Sequence, residues 1–256
     1  MKAAERTKNG SLLMRAWQRI RYSRSRALLI VVGLAGGLLL VVTQWPTGVV
    51  GKCRADAGPS VDWSDCRKSM LMLDHSRLDG AKFTGADLSR TDLNGSSLKK
   101  VDFTKANLMR ASLSKADAEG AVFQKVEGYR GEFSEIKADG STFVSAEMQR
   151  ANFAGAVLTN TDFTKAELGR VIFSQATLGN TRFATVNLSR ATFQNAKVTG
   201  PVDFTDAFLF LTRIEGVDLS QATGLQQEQV GLACGDAATV LPPGLTRPAN
   251  WPCREE

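Results

Sequence analysis

Six arginines recur at intervals of twenty residues: Arg90, Arg110, Arg130, Arg150, Arg170 and Arg190. Guanidinium groups take carboxylates and phosphates through paired, charge-assisted hydrogen bonds, so a regular column of them suits an extended anion or an acidic partner. Three residues before each arginine stands Asp87, Asn107, Glu127, Glu147, Glu167 or Asn187, which sets four acids against six arginines. A second reading is therefore open, in which the column is neutralised within its own surface and stiffens it. Lys105, Lys125 and Lys165, in an adjoining register, would widen a basic strip.

Catalytic chemistry finds little to work with. The patterns G-x-x-x-x-G-K-S/T, H-E-x-x-H and G-x-S-x-G are absent, and His75 is the one histidine. We expect no enzyme activity, no catalytic residue and no cofactor. The four cysteines fall into two local pairs, and in an oxidising compartment the economical pairing is Cys53–Cys66 and Cys234–Cys253. Four-cysteine metal binding is the competitor, although no C-x-x-C spacing supports it.

The elements that position these residues follow from a period of five. In "ANFAGAVLTNTDFTKAELGR" a large apolar residue occupies every fifth position: Phe153, Leu158, Phe163, Leu168. Strands alternate every two residues and amphipathic helices every three or four, so neither fits. The pattern runs from Leu73 to Val198, skips one residue near Pro201 and resumes at Phe204. Two residues before each large residue lies a small or β-branched one, which puts both on one face of a short strand while the rest point outward and turn a corner. Phe83, Phe103, Phe123, Phe143, Phe163 and Phe183 lie twenty residues apart, which is four sides of five residues per turn. At a layer spacing of about 4.8 Å the repeats make seven to eight coils, a rod on the order of 36 Å long.

Units such as "ADLSR" (86–90), "ANLMR" (106–110), "ANFAG" (151–155) and "VNLSR" (186–190) resemble the A-(D/N)-L-x-x signature of pentapeptide-repeat proteins. The resemblance covers about 71–222. It implies an all-β solenoid, a right-handed quadrilateral β-helix closed by a short C-terminal helix. The stretches 61–66 and 224–245 resemble the caps of membrane-attached or exported bacterial members, with the helix over about 225–234. The best-known activity in that family is protection of gyrase by mimicry of DNA, and in its quinolone-resistance members the C-terminal coils carry a dimer interface.

Ala118, Gly128 and Ala138 take inward positions held elsewhere by larger residues, and neighbouring rings are expected to fill the space. In "FLFL" the centre, Leu209, points inward, so Phe208, Phe210 and Leu211 point outward at the last coil. Either the C-terminal helix covers them, with Leu225, Val230 and Leu232 as its apolar side, or they form a dimer contact.

The net charge of +6 belongs to the N-terminus. Residues 1–26 carry eight basic side chains against Glu5, and the other 24 basic and 25 acidic residues nearly cancel. Residues 27–45 then hold no charge, and as a helix they would span roughly 28 Å, which predicts a transmembrane anchor. The basic flank places 1–26, with an amphipathic helix available over 11–24, in the cytoplasm and all that follows 45 outside it. The expected organisation is a basic tail (1–26), a single-pass anchor in a bacterial inner membrane (27–45), a linker and N-terminal cap (46–70), the β-helix (71–222) in the periplasm, and a C-terminal cap (223–256). The expected function is that of a non-catalytic tethered scaffold or binding module. Its partner would be a protein or an envelope polymer, with a homodimer as a further option. The near-neutral body and its arginine column argue against DNA mimicry, and against nucleic acid as a partner.

Overall fold

The computed structural model describes residues 28–34, 37–43 and 51–253. They divide into two compact units, up to Gly51 and from Lys52 onward. The basic tail and its amphipathic segment lie outside the described residues.

The first unit differs from the expected helix. Strands β1 (Leu28–Leu34) and β2 (Gly37–Thr43) pair antiparallel, with Leu28 opposite Thr43 and Leu34 opposite Gly37. The reason is compositional: Ile30, Val31, Val32, Val41 and Val42 are β-branched and favour strands. Among the described residues no helix is long and apolar enough to cross a membrane.

The second unit is a four-sided β-helix. Parallel bridges link one residue of each unit to its counterpart in the next coil, twenty positions on from Asp62–Lys82 to Ile172–Thr192 and twenty to twenty-two positions on thereafter. They end with Asp218–Val240, so the ladder extends beyond 71–222 at both ends. Phe143 shows the unit at work. Its N–H donates to Asp162 in the next coil, the Ser145 N–H donates to Thr164, and the Ala146 N–H folds back to the Phe143 carbonyl to close the corner. Closing it puts the fifth residue of the unit at positive φ, from 52° at Asn180 to 70° at Gly216. Asp or Asn ahead of the centre holds the corner from outside. The Asp87, Asn107, Asp162 and Asn187 side chains each accept the N–H two residues on, at 2.8–3.0 Å.

We number the sides by their first units: side one from 61–65, side two from 66–70, side three from 71–75 and side four from 76–80. Side one carries Trp63, Phe83, Phe103, Phe123, Phe143, Phe163, Phe183 and Phe204, one per layer over eight layers, stacked ring on ring except between Phe83 and Phe103, whose planes are tilted by 56°. Phe133, Phe153, Phe173 and Phe193 stack on side three and meet the first stack edge-on. The buried hydroxyls of Thr91, Ser96, Thr161, Thr181 and Thr212, each two residues before a centre, donate to a carbonyl of the preceding coil, whereas the Ser141 hydroxyl in the same kind of position has no partner among the described residues. Over Gly128 the space is filled from the next layer, because a methyl group there would overlap Met148 Sδ.

The inserted residue shifts the register. Lys197 of β6 (Lys197–Val198) lies over Thr177 of β4 (Thr177–Gly179), which in turn pairs with β3 (Val157–Thr159). Val202 of β7 (Val202–Asp203) lies twenty-one residues on from Thr181 of β5 (Thr181–Arg182). The added residue is absorbed at the corner holding Thr199, whose N–H and hydroxyl both donate to the Leu178 carbonyl.

Both ends are closed covalently. Cys53 is bonded to Cys66 and Cys234 to Cys253, each with Cα atoms 5.4 Å apart. At the first layer Lys68 stands where later coils place an apolar centre, and its Nζ lies 3.8 Å from the Trp63 ring centroid. A long stem with a charged head suits a position open to water on one side. At the far end α1 (Gln227–Leu232) buries Val230, and Gln229 Nε2 donates to the Phe204 and Ala207 carbonyls of the last coil.

Candidate functional site

Side two holds the arginine column, and its outward positions form three registers. One residue before the centre run Arg67, Asp87, Asn107, Glu127, Glu147, Glu167, Asn187 and Phe208. One residue after it come Ser69, Ser89, Met109, Tyr129, Gln149, Gly169, Ser189 and Phe210, and at the corner Met70, the six arginines and Leu211. The FLFL cluster therefore ends the same side that carries the arginines.

The arginines sit at an expensive place. Arg90, Arg110, Arg130, Arg150, Arg170 and Arg190 all have positive φ, between 55° and 62°. Non-glycine residues pay about 1–2 kcal/mol for the left-handed region. The corner that follows side four meets the same demand with Gly80, Gly120, Gly140, Asn160 and Asn180, the residues that tolerate it best, and with only one cation, Lys100. Backbone geometry thus gives no reason for six consecutive arginines.

Internal neutralisation by direct contact does not account for five of the six either. Ion pairs form on each of the other three sides: Arg182 with Asp162 at 3.5 Å, Arg213 with Glu215 at 2.8 Å, and Lys99 with Asp117 and Glu119 at 3.1 Å. Among the described residues none joins Arg90, Arg110, Arg130, Arg150 or Arg170 to a carboxylate within 4.0 Å. The acids lie three residues away along the chain, up to about 10 Å. Glu127, Glu147 and Glu167 are exposed beside one another in successive layers. Lys105 and Lys125 stand at the corner leading into this side, both at positive φ, as does Lys165.

Apolar exposure is concentrated on the same side. Of the eight large hydrophobic residues most exposed in the described chain, Met70, Met109, Phe208 and Phe210 lie on side two. Leu232 lies at its end, its carbonyl accepting the Leu211 N–H. Met109 and Tyr129 help to line a shallow depression of about 450 Å³ with Ser69, Met70, Ser89, Arg90, Asn107 and Arg110. The Arg130 guanidinium lies 5.2 Å from the Tyr129 ring centroid. Sequence reasoning singled out the arginines and, at the last coil, Phe208 and Phe210, but missed Met70, Met109 and Tyr129, although large residues at outward registers were the available signal.

The helix does not cover FLFL. Phe208 and Phe210 stay 48% and 42% exposed and stack on each other with centroids 6.2 Å apart. The helix is shorter than the expected 225–234: Leu225, just before α1, and Val230 within it are buried, but Leu232 is exposed. The helix spends its contacts on closing the rod's end, which leaves the side free. His75 is exposed at a different corner, against Gly95, away from side two.

Comparison with known proteins agrees with this architecture. Residues 146–223 match the family described as Pentapeptide repeat region, and 72–99 and 86–124 match Pentapeptide repeats (8 copies). The chain belongs to the pentapeptide-repeat family. Among solved structures, a trypsin-treated form of QnrB1, a plasmid-mediated fluoroquinolone resistance protein, aligns at a TM-score of 0.57. It is 18% identical, over 71% of this chain and 90% of that one. HetL, a pentapeptide-repeat protein involved in heterocyst differentiation regulation from Nostoc sp. strain PCC 7120, is 20% identical over 75% of this chain and 85% of its own, at a TM-score of 0.45. No curated protein sequence matches the chain. At these identities the likeness extends to the pentapeptide-repeat fold and no further.

Proposed function

We propose that this pentapeptide-repeat protein is a non-catalytic scaffold, held at a bacterial inner membrane and acting outside the cytoplasm, whose second side is the surface that meets a macromolecular partner. The observation that carries this reading is the coincidence on one side of Arg90, Arg110, Arg130, Arg150 and Arg170, none with a carboxylate within 4.0 Å among the described residues, with exposed Met and Phe and with Tyr129. Arginine, methionine and aromatic residues are the types enriched in interfaces, and no other side combines them. Export is supported by the closing disulfides at both ends, and tethering by 19 uncharged residues that follow a basic tail. A gyrase-protecting DNA mimic would need a strongly acidic surface, whereas this rod is near neutral and carries an arginine corner.

Thiol protection in whole cells tests the proposal. Val144→Cys, Gln149→Cys, Ala154→Cys and Thr159→Cys put one free thiol on each side of a single layer. A membrane-impermeant maleimide should label the other three at least about ten-fold faster than Gln149→Cys. Equal rates would sink the interaction surface, and no labelling in any intact cell would sink the exported location.

A further inference from the structure

Side two is charged in a way that fits itself. Within each middle layer an acid stands one residue before the centre and an arginine two residues after it: Glu127 with Arg130, Glu147 with Arg150, Glu167 with Arg170. Turning a second rod by 180° about an axis parallel to the first, with the two second sides facing, exchanges left and right but keeps every layer at its own height. The acid register of one copy then lies opposite the arginine register of the other, layer by layer and twice over. Phe208 meets the partner copy's Leu211 and Phe210 meets its counterpart, so the apolar end is matched as well. The antiparallel alternative keeps left and right and inverts height, which sets Glu127 against Glu147, Arg130 against Arg150 and Phe208 against Arg67. Like charges apposed in this way disfavour it.

We propose that side two is the interface of a parallel, two-fold symmetric homodimer. The proposal rests on the reading of this side as an interaction surface and names the occupant as a second copy of the chain. Isologous contacts require a self-complementary patch, and the offset acid and arginine registers supply one. The carboxylate contacts that Arg130, Arg150 and Arg170 do not make within their own chain are made across the axis. A parallel pair also places Lys52 of both copies at the same end, as two chains tethered to one membrane need.

Disulfide cross-linking of the full chain in its membrane tests this. Ser89 and Ser189 occupy the outward register nearest the axis, in the second and seventh layers. In the parallel dimer Ser89→Cys and Ser189→Cys each link to themselves on mild oxidation. In an antiparallel dimer neither does, and only the mid-height Gln149→Cys would. Adding Glu147→Arg should lower the Ser189→Cys cross-linked fraction about five-fold or more, and combining it with Arg150→Glu should restore it. Cross-linking at mid-height alone, or indifference to the charge exchange, overturns the parallel arrangement. If no self-linking occurs while the Gln149→Cys thiol stays protected from maleimide, the second copy is refuted and another macromolecule occupies the side. If that thiol also labels freely, both the dimer and the interaction surface fall.

Discussion

The ring of Phe143 lies parallel to that of Phe123, with centroids 4.4 Å apart and an interplanar angle of 3°. Phe163 continues the stack at 4.8 Å, and Phe133 and Phe153 meet Phe143 edge-on. Phe143→Ala removes the middle of a column that cannot collapse, since backbone bonds fix the layer spacing. It should cost about 3–5 kcal/mol, read as a lower urea midpoint. A loss under about 1 kcal/mol would mean that neighbouring layers close the gap.

The arginine corner carries its own stability prediction. Arg150 has φ 62°, and glycine takes that conformation without a Cβ clash. Arg150→Gly should therefore stabilise the rod by about 0.5–1 kcal/mol in urea while weakening self-association. A destabilised variant would show that the arginine makes contacts within its own chain that outweigh its backbone cost.

Loss of the Cys234–Cys253 bond should loosen one end only. Solenoid layers contact only their neighbours, so damage at a cap stays local before it spreads. The bond closes a loop of 19 residues, and Cys234→Ser with Cys253→Ser should cost about 2–4 kcal/mol. Hydrogen exchange should rise over 204–240 and stay unchanged over 81–140. Uniform loss of protection would mark the rod as a single cooperative unit instead.

Acid sensitivity has a defined sign. Asp62 and Asp218 are held below the ordinary carboxylate range, chiefly by the backbone N–H groups of Ser64 and Ser220, with the serine hydroxyls adding to it. A folded-state pKa below the unfolded one contributes stability above about pH 3.9 that is lost as pH falls through the folded value. Asparagine keeps the acceptor without titrating. The double variant Asp62→Asn, Asp218→Asn should lose less of its thermal midpoint between pH 5 and pH 2 than the parent, and parallel curves would refute this.

Period and side count were legible because the fold repeats one rule. Phe at every twentieth position states the coil length, and the slip near Pro201 appears in the structure as the change in register between Lys197 and Val202. The cysteine pairing was legible because both pairs are local. What the sequence hid depends on reach between side chains. Glu147 and Arg150 share a side, yet three residues and a left-handed corner keep them out of contact. Met148 over Gly128 is likewise a relation between layers that no single unit displays. At 27–45, hydrophobicity was read as a helix while its Val and Ile content carried the strand.

A four-sided coil imposes an arithmetic on change in length. One extra residue, as at Thr199, is taken up at a corner and leaves every later side in place. Twenty residues add or remove a storey and preserve all columns. Five residues are the harmful quantity: the core pattern survives intact, but everything downstream turns by a quarter. Such a deletion between Arg150 and Arg170 would leave a well-packed rod whose lower arginines and upper aromatics look in different directions.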